Sequence, residues 1–306
     1  MRLRVRAGLV LLPLIALLLG IAGVAKAPPT GGGAAAPLAP APVRAEPVQP
    51  NRFYDPNLFY GGLQAADSQA DPPPLEGRLV GGLVPHHNLA AELLTRFFRQ
   101  LEANPPSTVI VVGPNHEARG QPVVTGRRGW QTEFGVVEAD QPLIDSLVAD
   151  SLASVDDTTL EPEHAIGALM PYLKYHAPNA KVVPLILHRE VGLPEIQHLA
   201  KALAQRMGEE TLLLASVDFS HYLTRAEAEA KDAQTLPLIE AMDLSALMRL
   251  GPDHIDSPGS LSLLMLVMRE RSAEGPHLTG HTNSGIILQD DRIETTSYFT
   301  FTYHEP

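Results

Sequence analysis

The chain has 306 residues, a formal net charge of −12 and no cysteine. Hydrophobic residues make up 44% and charged residues 19%, the balance of a chain that packs a core in one large domain or two modest ones. The missing cysteine excludes disulfides, iron–sulfur clusters, thiolate zinc sites and a cysteine nucleophile. With no basic run after the N-terminus to neutralise phosphates, nucleic acid is not an expected partner.

The opening MRLRVR carries three arginines, and Ala7 to Ala25 is almost wholly apolar. Ala25-Lys26-Ala27 has the small-x-small form of a cleavage site. Residues 1–27 therefore read as a signal peptide or, uncleaved, as an N-terminal membrane anchor, which places the rest of the chain outside the cytoplasm. Residues 28–75, rich in Pro, Ala and Gly above all up to Pro50, read as a mostly disordered linker. The folded domain is expected over 76–306, its first element beginning between Leu75 and Leu79.

From there short apolar runs alternate with amphipathic patterns. Arg78–Val84 reads as a strand and Leu89–Glu102 as a helix with apolar residues at Leu89, Leu93, Leu94, Phe97 and Leu101. Thr108–Val112 is a β-branched run of the kind covered on both faces. Helical patterns follow at Gln141–Ala149, Glu163–Tyr175, Leu193–Met207, Arg225–Leu250 and Ser260–Arg269. Lys181–Leu187 and Thr211–Ser216 read as further strands, and Ser284–Gln289 with Ser297–Tyr303 as a closing strand pair. This alternation predicts an α/β fold, a single domain with a central, largely parallel or mixed sheet flanked by helices.

Polar clusters follow three of these strands: Pro85-His86-His87-Asn88, Gly113-Pro114-Asn115-His116, and Ser216 to His221 with Asp218 between. Ligands of open α/β sheets bind outside the carboxyl ends of the strands, so the three clusters point to one pocket. Two histidines with one or two carboxylates form a competent ligand set for zinc or non-haem iron. Glu163-His164 joins them only if its helix start faces the same edge, since Glu163 could simply favour the helix dipole. Asp140 and Trp130 are weaker pocket candidates. His176, His188, His254, His277 and His304 read as surface or capping residues. No G-x-S-x-G elbow supports serine chemistry.

VPHHNLA, VVGPNH, TEFG behind Trp130, EHAI with MPYL, VVPLIL and ASVDFSHYL occur in that order, followed by His281 to Ser284 and Ser297-Tyr298. In these motifs, over roughly Leu79 to Tyr303, the chain resembles the Memo family, known in prokaryotes as AmmeMemoRadiSam system protein B. The resemblance implies a fold related to class III extradiol dioxygenases and a pocket holding a divalent metal, iron(II) foremost, with zinc or copper as alternatives. By motif, His86, His116 and Asp218 are the implied metal ligands. Asp218 is also an expected positioning group and the matched His221 an expected acid–base residue, while His164, read from its place at a helix start rather than carried over by motif, is a further catalytic candidate. The family's animal members have a cysteine ligand where this chain reads Asp256-Ser257-Pro258-Gly259, so Asp256, Asp218 or His221 is left to complete a harder, thiolate-free set. The expected function is a metal-dependent oxidoreductase or dioxygenase-like enzyme acting on a small molecule of unknown identity. The alternatives are a non-catalytic binding or scaffolding module with protein partners, and a metal-assisted hydrolase. A membrane is a partner only through the N-terminal segment.

Overall fold

The run Thr108–Val112 lies at the middle of the computed structural model, buried on both sides; the structure describes residues 47–68 and 75–306. Ala7–Ala25, read as signal or anchor, lies outside the described residues. Among the described residues no helix is long and apolar enough to cross a membrane. The strands are β1 (Val48–Pro50), β2 (Arg78–Val84), β3 (Thr108–Pro114), β4 (Val123–Thr125), β5 (Gly129–Thr132), β6 (Gly135–Val137), β7 (Ser154–Val155), β8 (Lys181–Leu187), β9 (Thr211–Ser216), β10 (Phe219–Leu223), β11 (Glu274–Asn283) and β12 (Thr295–Glu305).

Among the described residues, nine strands form one mixed sheet in the order β10-β12-β2-β9-β3-β8-β4-β7, with β11 also on β12, and β1, β5 and β6 form a small second sheet. At the centre β2, β9, β3 and β8 are all parallel, while β12 and β4 flank them antiparallel. The two-residue period of β3 sends Ile110 and Val112 into one core and Val109 and Val111 into the other. The first core is covered by the helices Gln141–Ala149, Leu193–Arg206 and Pro258–Glu270. The second is covered by Pro56–Asp67, Ala91–Arg99 and Met170–His176. Because the four central strands run the same way, the segments after β2, β9, β3 and β8 all emerge at one edge.

Three sequence expectations need correction. The linker read to residue 75 ends earlier, since β1 pairs in parallel with β5 and the helix Pro56–Asp67 packs against Ala91–Arg99. Asp55 caps that helix through the backbone N–H groups of Asn57 and Leu58, and Phe59 is 1% exposed. The averaged Pro/Ala/Gly composition hid three aromatics, Phe53, Tyr54 and Phe59, which carry the docking. Second, Ser284–Gln289 is not a strand: Ser284–Leu288 is a short helix whose first turn is capped by the Asn283 side chain. The partner of β12 is instead β11, whose Gly, Pro and His content lacks a strand signature. Third, Glu163–Tyr175 is two helices, His164–Gly167 and Met170–His176, the second with Pro171 in its first turn.

If residues 47–68 belong to the folded unit, Phe59→Ala should destabilise it by about 3–5 kcal/mol, the usual cost of emptying a buried phenylalanine site. A chain truncated to begin at Leu75 should likewise melt below one that begins at Ala45. Calorimetry that gave both chains one melting temperature would remove the segment from the fold.

Candidate metal centre

The segment leaving β2 carries His86, which is 3% exposed. Its backbone N–H donates to Asp218 Oδ1 at 3.0 Å, tying the end of β2 to the segment after β9. The Ser216 hydroxyl donates to the Ala165 carbonyl at 2.6 Å, and the same oxygen lies 3.2 Å from His86 Nδ1. With its one proton committed, Ser216 must accept from His86 Nδ1–H, so Nε2 carries the free lone pair.

His116, after β3, is oriented in the same way by a carboxylate. Glu163, buried at the start of its helix, accepts from the His116 backbone N–H at 3.0 Å and sits 2.8 Å from His116 Nδ1. A third N–H, from Ala165, completes the carboxylate's shell. Burial by itself would raise the Glu163 pKa, but the hydrogen bonds from His116 and the backbone outweigh it and hold the group below its usual range. Glu163 thus fixes His116 as the tautomer with Nε2 free, the arrangement found behind metal-ligating histidines. Its helix start does face the strand-end edge, the condition set from sequence.

His164 stacks on His116, their ring centroids 4.2 Å apart, and meets His86 edge-on at 5.1 Å. One nitrogen from each of His86, His116 and His164 falls within a single 4.8 Å group able to hold a metal ion. Asp256 completes the surroundings: its Oδ2 lies 3.3 Å from His86 Nε2 and 3.9 Å from His116 Nε2. Donors bonded to one ion at about 2.1 Å lie roughly 3–4 Å from one another, so these separations suit an ion between them. Asp256 Oδ1 is buried without a hydrogen-bond partner. Asp218 Oδ2 is 3.7 Å from His86 Nε2, its Oδ1 being engaged by the His86 N–H.

His221 sits between two residues in the left-handed region, Ser220 at φ 27° and Tyr222 at φ 60°. Such backbone costs of order 1–3 kcal/mol per residue and needs support. The support is Asp232, buried behind the turn, which accepts from the Ser220 hydroxyl at 2.7 Å and pairs with His281 at 2.9 Å. His221 Nδ1 is buried and unpartnered.

Burial and mutual repulsion shift the titration of nearly every group in the cluster. Burial, then the neighbouring imidazoles of His164 and His116, hold the His86 pKa well below its usual value. Burial likewise lowers His164 and His221. Burial raises Asp218, and burial with the adjacent Asp218 carboxylate drives Asp256 well above the carboxylate range. Neutral imidazoles facing strained carboxylates form a site that a divalent cation would neutralise.

The cluster opens on a cavity of about 1100 Å³ whose walls include Phe53, His87, His188, Arg189, Tyr222 and Met248. His87 therefore joins the wall rather than the cluster, its Nδ1 2.5 Å from the Tyr298 hydroxyl. His188, expected at the surface, is also on the wall, while His176, His254 and His304 are buried. Asp140 instead caps the helix Gln141–Ala149 and binds Thr108 at the far end of β3, and Trp130 is core.

A family profile described as Memo-like protein matches residues 69–300. A MEMO1 family protein of Pyrobaculum arsenaticum is 26% identical over 243 residues, 76% of this chain and 86% of that one. One from Methanopyrus kandleri is 29% identical over 223 residues, covering 69% and 79%. One from Thermotoga maritima is 28% identical over 209 residues, covering 67% and 74%. The crystal structure of the uncharacterized protein JW3007 from Escherichia coli K12 superposes with a TM-score of 0.51 at 14% identity, over 73% of this chain and all of that one, a likeness of fold.

The raised Asp256 pKa makes a signed prediction. Its unfolded value is 3.8, so the folded, metal-free protein loses stability as pH rises above about 4 and the unfolded carboxylate ionises more easily. Asp256→Asn should therefore raise the melting temperature of metal-free protein at neutral pH, by about 2–4 °C per kcal/mol relieved, and the gain should shrink toward pH 4. Calorimetry showing Asn destabilising at both pH values would refute it.

Proposed function

Because the chain belongs to the Memo family, we propose that it is a metal-dependent enzyme of oxidoreductase type, with His86, His116 and Asp256 holding a divalent ion and His164 beside them. The observation that carries this reading is that two independent groups, Ser216 and Glu163, turn the free nitrogens of His86 and His116 toward the same buried carboxylate. Two imidazoles and a carboxylate without a thiolate suit iron(II) or zinc, and iron(II) is the proposed ion. When bound, it supplies Lewis-acid polarisation and a redox couple.

The chain's own residues supply the rest. Asp218 holds the His86 backbone in place and keeps a second carboxylate oxygen near the cluster. His221, kept neutral by burial and with Nδ1 unpartnered, is placed to take a proton from a substrate group and return it. His164, half-buried at the cavity, is a second acid–base candidate or a further ligand. The cavity is large enough for a small-molecule substrate, and its His and Arg side chains give it polar handles. The arginine-led apolar N-terminus supports a location outside the cytoplasm, secreted or anchored.

Protein purified without oxygen and reconstituted with iron(II) should bind about one ion per chain, and His86→Ala/His116→Ala should abolish binding. Glu163→Gln should weaken affinity by about 10–100-fold, as loss of a histidine-orienting carboxylate does. Equal, negligible metal in wild type and double variant would end the metal reading. Bound metal without histidine-dependent oxygen consumption across catechols and other reductants would favour a binding module.

A further inference from the structure

The segment 47–68 lies ahead of the family match, which begins at residue 69, yet it builds part of the pocket. Phe53 lines the cavity 6.1 Å from the His164 ring. It is held there from three directions. Asn88, two residues after His86, donates its side-chain N–H to the Phe53 carbonyl at 2.7 Å. The Phe53 backbone N–H donates to Asn51 Oδ1 at 2.9 Å, and Asn51 Nδ2 donates to the Gly167 carbonyl at 2.9 Å. The ring lies flat enough on Gly167 that a Cβ there would come within 2.5 Å of Phe53 Cδ2.

Gly167 does not adopt a left-handed backbone, and glycine weakens a helix relative to alanine. What calls for glycine three residues after His164 is the aromatic ring. The segment after His86, through Asn88 and the Phe53 carbonyl, and the helix that carries His164, through Gly167 and the Phe53 ring, are therefore both tied to one residue ahead of the family match.

We propose that Phe53 is a specificity-determining residue: its ring forms the pocket wall beside His164 and sets the width of molecule that reaches the histidine cluster. What the pocket does rests on the metal-site reading above, but the wall can be tested without metal. In metal-free full-length protein, carbethoxylation of His164 by diethyl pyrocarbonate would be followed by peptide mass spectrometry, with exposed His198 as internal reference. Phe53→Ala should raise the His164-to-His198 rate ratio by about fivefold, and Gly167→Ala, by evicting the ring, should do nearly the same. Adding Gly167→Ala to Phe53→Ala should then change the ratio by less than about twofold, because both act through one contact. Global unfolding would also open His176, 4% exposed in the fold, to carbethoxylation, so a rise at His164 with His176 still protected separates a wall from a merely structural role. If Phe53→Ala does not fold, Phe53→Leu gives the same comparison with a smaller opening. Zinc-loaded Phe53→Ala should also lose zinc to 1,10-phenanthroline about five times faster than wild type, as a wider entrance requires. Unchanged ratios in folded single variants overturn the proposal. A wild type that takes up no zinc while the ratios rise leaves the wall standing and removes only the metal reading.

Discussion

The arrangement of this protein depends on one constraint: buried carboxylates and imidazoles crowded together at the strand-end edge. Asp218 and Asp256 repel each other in a low-dielectric setting, and His86, His116, His164 and His221 face them. Replacing such a cluster by apolar residues would favour stability. With Asp256 Oδ1 also buried without a hydrogen bond, the edge is where the fold carries its least favourable polar burial.

The rest of the fold makes this burial tolerable. Four parallel strands buried on both faces deliver His86, Asp218 and His116 from separate strands to one edge. Ser216 and Glu163 then set the tautomers, so that neither ring has to reorganise to offer Nε2. The strained turn at His221 leans on Asp232 and, through it, on His281, which stacks on Phe299 at 4.1 Å. Asp232, His281 and Phe299, none of them on the cavity wall, thus decide where His221 points.

Much of this was legible in the sequence because its determinants are local. The central strands announced themselves by β-branched runs, and β2, β8 and β9 occupy the residues read for them. The post-strand positions of His86, His116 and Asp218 follow from the rule that parallel sheets bind at their carboxyl ends. The motifs carried the family. What was not legible depends on distance in the chain. Nothing local says that Asp256, at the start of a helix, faces His86, or that Glu163 orients His116 rather than only capping its own helix. Phe53 and Phe59 were lost in a Pro/Ala/Gly average because composition does not see docking. The strand β11 was missed because long pairing with β12, not β propensity, makes it a strand.

The most direct measurement is a crystal structure of the iron(II)-loaded protein with anomalous data at the iron edge. The account predicts one strong peak bonded to His86 Nε2, His116 Nε2 and the Asp256 carboxylate at about 2.0–2.2 Å. A peak elsewhere, or none with Asp256 turned away from the histidines, would contradict it.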